Sequence, residues 1–184
     1  TPPQGMEYTD MERKYHHATL EAARMVSQSW NFCHSFDPIM VYSPQYGFGD
    51  AVDFILEKPV RTTLQYTLAD VGGDKGISRS RLTHIKEDAK APLQNIEPCL
   101  YSYYFLKFSV LANIVKQEGY VTDHFMDSGH TYQGLVIHFQ PTPFGEVKPE
   151  VMMVPIDMEL GKRFLRHYHE NYVMPLRGET KAGL

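Results

Sequence analysis

From residue 9 onward the apolar positions Met11, Tyr15, Ala18, Ala22 and Met25 fall three and four apart, the spacing of one helix face. "TDME" just before them is a capping box: the Thr9 hydroxyl accepts from the amide of Glu12, and the Glu12 carboxylate reaches back. This predicts a helix from Thr9 to about Asn31, with His16, His17, Glu21 and Arg24 turned from its buried stripe. "FDPIMVYSPQYGFG" is broken by Pro38, Pro44, Gly47 and Gly49 and reads as a loop carrying the aromatics Phe36, Tyr42, Tyr46 and Phe48. Asp50 then reads as the cap of a short helix, "AVDFILE", which stops before Pro59.

The period changes at residue 60. Val60, Thr62, Leu64, Tyr66 and Leu68 alternate with polar residues, which predicts a strand. A glycine-rich turn follows, then a charged helix over 80–89. Residues 96–118 are apolar on every side, with Pro98 suited to a first helical turn and Gly119 to a stop, and predict a buried helix. The aromatics of its first half also allow a strand there. "YQGLVIHFQ" and "PEVMMVPID" predict two strands joined by a Pro/Gly loop. Asp157 caps a last helix in which Leu160, Phe164, Tyr168 and Tyr172 share a face and Pro175 is the stop.

These segments imply an α+β fold: three or four helices around a long central aromatic-rich helix, with a small antiparallel sheet that includes a C-terminal hairpin. The implied organisation is an extended arm over 1–8, one domain over 9–175 and a flexible tail over 176–184.

Composition narrows the function classes. The chain of 184 residues is long enough for a core without staples, and 42% hydrophobic with 22% charged residues is ordinary for a globular protein. A net charge of −4 argues against a dedicated nucleic-acid binder, which would need a basic surplus. The most apolar window, Pro98 to Val115, carries Lys107, Ser102, Ser109 and Asn113, so it reads as a core element and not a membrane span. The two cysteines, Cys33 and Cys99, sit among apolar neighbours and read as buried, reduced thiols, which favours a reducing intracellular compartment. The chain opens on "TPPQG" without an initiator Met, the mark of a removed mitochondrial or plastid leader or of trimming.

"DVGGDKGISRSRL" over 70–82 resembles an EF-hand calcium loop, with Asp70 first, Asp74 fifth and Ile77 eighth. The resemblance fails where it matters. Gly72 stands third without a side-chain oxygen, Lys75 stands at the sixth position where glycine is required, and Arg81 replaces the bidentate twelfth carboxylate. The incoming segment also alternates like a strand. The segment reads as a strand-to-helix turn, and no calcium is expected over 70–82. A phosphate cradle is disfavoured too, because "GGDKGIS" lacks the P-loop spacing and Asp74 repels an anion.

The nine histidines supply weaker candidates. Glu12 with His16 and His17 with Glu21 read as surface pairs. His167 and His169 diverge by about 160° on a helix and cannot easily share an ion. Asp123, His124, Asp127 and His130 in "DHFMDSGH" are the best local mixture of metal donors, without anything to fix their geometry. His138, in mid-strand, is an acid–base candidate only if its strand lines a cavity; the simpler expectation is a half-exposed outer-face residue. No nucleophile motif is present, and Trp30 reads as core or interface. The sequence therefore assigns no catalytic, cofactor-binding or metal residue. Its leading functional expectation is a non-catalytic accessory or scaffold subunit of a larger assembly, with other protein subunits as partners. The alternative is a small-molecule-binding domain or enzyme using histidine or metal chemistry.

Overall fold

The computed structural model describes residues 10–33, 38–72, 100–121, 130–141 and 147–180. In chain order they form α1 (Asp10–Val26), β1 (Asn31–Phe32), β2 (Ile39–Ser43), β3 (Phe48–Val52), β4 (Phe54–Val60), β5 (Thr63–Val71), α2 (Leu100–Gln117), β6 (Thr131–Pro141), β7 (Val147–Val154) and α3 (Met158–Tyr168). A π-helical turn, His169–Val173, then leads into α4 (Met174–Arg177).

Helices and strands are mixed as expected, but the arrangement differs. The centre is a five-stranded sheet in the order β1-β4-β5-β6-β7, with β2 and β3 paired separately. The sheet is not wholly antiparallel, because β5 and β6 run parallel. The aromatic helix α2 is not an axis for the other helices. It lies on one sheet face with α3, while α1 covers the other.

The expected short helix after Asp50 is strand. Phe54, Ile55 and Leu56 are consecutive and all buried, because both sheet faces are covered. Such a run has no period of two, so its pattern cannot be told from a buried helix. The expected loop over 36–49 contains a hairpin whose strands pair Ile39 with Val52 and Ser43 with Phe48. Its punctuation marked only the turn: the Gly47 N–H donates to the Ser43 carbonyl at 2.9 Å. The first helix stops at Val26 and not near Asn31, since Asn31 and Phe32 pair with β4.

Other expectations hold. The strand expected over 60–68 is found over 63–71, since Val60 ends β4 and residues 61–62 are the turn; α2 ends before Gly119, and β6 pairs antiparallel with β7. Asp157 caps α3, its side chain accepting from the Leu160 N–H at 3.0 Å. Pro175 does not stop the helical run. It sits in the first turn of α4, where its missing N–H costs nothing, and Gly178 at φ +68° makes the stop. The helix expected over 80–89 and Cys99 lie outside the described residues.

One core joins Phe108, Leu111, Ile114 and Val115 of α2 to Ile55, Tyr66, Leu68 and Val136 of the sheet and Leu165 of α3. A second joins Ala22, Ala23 and Val26 of α1 to Phe54, Leu56, Ala69, Val71, Leu135 and Ile137. Each large aliphatic or aromatic side chain so buried contributes about 1.5–3 kcal/mol. Two glycines let α2 come close: a Cβ on Gly134 would lie 2.3 Å from the Phe108 ring, and one on Gly161 would lie 2.2 Å from the Ser109 carbonyl oxygen.

Candidate functional site

The β4–β5 register pairs Phe54 with Ala69. One step further Asp53 faces Asp70 across the ladder, on the same sheet face as Ile55 and Leu68. Like charges directly opposite each other in a sheet are destabilising, and both residues are buried. Three bonds offset the repulsion. The Asp53 N–H donates to Asp70 Oδ1 at 3.1 Å, and the Val71 N–H donates to Asp53 Oδ2 at 2.8 Å. Lys107 Nζ, delivered by α2, donates to Asp70 Oδ2 at 2.6 Å. The Lys107 and Asp70 side chains are 12% and 8% exposed.

Burial, the largest cause, pushes the Asp70 carboxyl above the usual carboxylate range; Lys107 pulls it back, and the charge of Asp53 pushes it up while the Asp53 N–H lowers it. Burial alone would lower Lys107, but the charge and hydrogen bond of Asp70 more than offset it and hold the ammonium above the ordinary lysine value. Tyr104, one turn ahead of Phe108 on α2, is pushed up to about 12 by burial and then by the charges of Asp70, Tyr103 and Asp53, so its phenol stays a donor.

These groups line a cleft of about 270 Å³ with Asp50, Ala51 and Pro38. The cleft lies at the carboxyl end of β5, beside the crossover to the parallel strand β6, a position where sheets of this kind often bind ligands. Its volume is just under the roughly 300–1,000 Å³ of drug-sized pockets, so it admits a head group and not a whole large ligand. Three carboxylates and one ammonium leave its lining two charges negative. A buried ion pair is often no more stabilising than a well-packed apolar pair. Such a pair is weak evidence of a purely stabilising role, and a perturbed carboxylate in a cleft is a common mark of a functional site.

The candidates read from the sequence lie elsewhere. His138 is not a half-exposed outer-face residue: it is 2% exposed on β6. Its Nδ1 has no hydrogen-bond partner among the described residues, and it does not line the cleft. His130 packs edge-on against Tyr66, with ring centres 5.5 Å apart. His167 bonds Asn171, while His169 meets Tyr46, so the two histidines are not brought together. Glu21 pairs with Arg24 at 3.3 Å. Trp30 lies under Lys58, whose Nζ is 5.4 Å from the ring centre. Cys33 is half-buried and its thiol donates to Glu57 at 3.7 Å. Asp123, His124 and Asp127, the side chains of Glu12, His16 and His17, and residues 73–82 of the calcium-like segment fall outside the description. Asp70, first in that segment, belongs to β5 and bonds Lys107.

Among the described residues no group of three or more His, Cys, Asp or Glu side chains is placed to hold a metal. Among them, too, no helix is long and apolar enough to cross a membrane. Sequence reasoning missed Asp53 because it placed that residue in a helix, where it cannot face Asp70. It used Lys107 only against a membrane span, although a lysine inside an apolar helix is itself a signal of a buried acidic partner. Comparison with family models, with curated proteins and with solved structures finds no match to this chain.

Proposed function

We propose that this chain is an enzyme that binds a phosphate ester through a divalent cation at Asp53 and Asp70, with Lys107 as the fixed positive charge of the site. The observation that carries the reading is the facing pair of buried carboxylates, bonded to a lysine, in a cleft of net negative charge. Such a lining repels a bare anion and attracts a small cation. Magnesium commonly uses only one or two protein carboxylates and completes its shell with water and substrate phosphate, so a third protein ligand is not required. Held by Asp53 and Asp70, such a cation would polarise a phosphoryl oxygen, and the protonated Lys107 would stabilise charge developing on the same group. This develops the enzyme alternative of the sequence reading, moved from the histidines to the aspartates.

Calorimetric titration with Mg²⁺ and Mn²⁺ tests it. The expected result is one cation site that is lost in Asp53→Asn and Asp70→Asn, with methyl phosphate binding only when the cation is present. Absence of cation binding by the folded wild-type chain, or undiminished binding by both variants, overturns it.

The accessory-subunit reading has one specific support. Met40 and Tyr42 are 60% and 44% exposed on the outer side of the β2–β3 hairpin. Tyr46 and Phe48 instead pack inward, on His169 and on Phe164 with Tyr168. Of the three described aromatics of that segment one, Tyr42, is therefore offered to a partner; Phe36 lies outside the described residues. On this reading Tyr42→Ala weakens association with a co-purifying protein without moving the thermal transition, whereas Tyr46→Ala lowers the transition. A melting temperature that falls in Tyr42→Ala removes the support.

A further inference from the structure

The central sheet ends on β7, which among the described residues has no strand on its outer side. An unpaired edge of this kind is a template for another chain. Which backbone groups it offers follows from Pro149, which stands opposite Phe139 of β6. A proline fits an edge strand where its missing N–H would point away from the neighbouring strand. The direction alternates along a strand, so Val151 and Met153 also turn their N–H and C=O outward. The next residue of that series is Pro155. The edge therefore offers two donors, at Val151 and Met153, bracketed by prolines at equal distance from Met152.

That pattern is its own complement. When a second β7 lies antiparallel about a two-fold axis at Met152, Val151 of each strand faces Met153 of the other, and Pro149 faces Pro155. Every outward N–H then meets a carbonyl and no proline is asked to donate. An axis at Val151 or at Met153 sets a carbonyl against a proline, and an axis at Glu150 sets two carboxylates against each other. The side chains agree with the backbone. Val151 and Met153 are 46% and 44% exposed, on the sheet face opposite Met152, which packs on the α2-side core. The Met152 axis covers them as two symmetric Val–Met pairs, and it leaves Lys148 and Glu150 opposite Ile156 and Val154, where no like charges meet.

We infer that β7 is a self-association edge: two copies of this chain pair antiparallel across Val151–Met153 about a two-fold axis at Met152, joining their sheets into one. So short a contact covers far less than the roughly 800 Å² per partner of a stable dimer, so the association is weak and reversible.

Sedimentation velocity of the full chain at low salt, over a series from micromolar to millimolar concentration, tests it. The expected wild-type result is a monomer that passes to a dimer and stops there, because a two-fold contact closes on itself. Two double variants then read the register. Val151→Lys with Met153→Lys sets like charges opposite each other at both pairs and should weaken dimerisation on the order of tenfold or more. Val151→Lys with Met153→Glu sets opposite charges at the same places and should keep it within about threefold of the wild type. Both positions are exposed, so both variants should fold. A wild type that stays monomeric, growth beyond the dimer, a dimer untouched by the two lysines, or equal weakening by both variants overturns the inference.

Discussion

The two faces of the central sheet are built from alternate residues of the same strands, and they carry different chemistry. Toward α1 the strands present Phe54, Leu56, Ala69, Val71, Leu135 and Ile137, sealed by Ala22, Ala23 and Val26. Polar contact on that face includes the bond from Gln133 to Thr67 at 2.9 Å, at the middle of β5. Toward α2 the same strands present Asp53, Asp70 and His138, and the helix adds Lys107 and Ser109. The cleft lies on the α2 side, lined by Lys107 and Tyr104 of that helix with Asp53 and Asp70. Because side chains alternate, a slip of β4 by one residue against β5 would turn Asp53 toward α1 and part it from Asp70. The register is therefore also what locates the site.

The comparison is broken most severely by moving the charge across the sheet. Ala69→Asp places a carboxylate one residue from Asp70 but on the sealed face, at a position with no solvent exposure. A buried unpaired charge there is expected to cost more than about 4 kcal/mol. Urea unfolding measures it, and a loss below about 1 kcal/mol would show that the two faces are equally tolerant.

Next in size is removal of the lysine. Lys107→Met leaves Asp70 buried without its cation and is expected to cost about 3 kcal/mol, most of it recovered when Asp70→Asn is added. The sign of the pH dependence follows from the direction of the Asp70 shift. Its folded value is raised, so its contribution is full below the unfolded value and lost as pH rises through the folded one. Without Lys107 the lowering influence is gone and the rise is larger. The deficit of Lys107→Met should therefore be smallest near about pH 4 and grow toward about pH 8. A deficit that shrinks on going to higher pH would contradict the assignment.

The smallest effect concerns Cys33, at the sheet's β1 edge. Burial first, then the charge and hydrogen bond of Glu57, push its thiol up to about 12. Labelling of this thiol at neutral pH should be slow, since the thiolate is the reactive form. Glu57→Gln should speed it several-fold while changing stability by less than about 0.5 kcal/mol. Rapid labelling of the wild-type thiol would contradict the shift.

Much of this architecture was legible in the sequence, and the misses share a cause. α2, β5, β6, β7 and α3 each show a clear period, a length or a cap, and each was found near its observed place. The β2–β3–β4 stretch was misread because its central strand is buried on both faces and its turn residues outnumber its periodic ones. The site depended on that stretch. Once Asp53 is taken as helical, no sequence spacing brings it opposite Asp70, and no local motif ties either to Lys107 in a distant helix. A cleft made by register and crossover leaves no compact signature in the chain.

The order of strands also leaves the sheet with two unequal borders. β1 is two residues long and offers little backbone to a passing chain, whereas β7 runs over Val147–Val154 and, among the described residues, has no strand on its outer side. Its first half is guarded, since Pro149 has no N–H to donate and Lys148 and Glu150 flank it. Its second half, Val151 to Val154, has neither charge nor proline, and Val151 and Met153 are exposed there. Intermolecular strand addition, and with it aggregation at high concentration, has its natural starting point in those four residues.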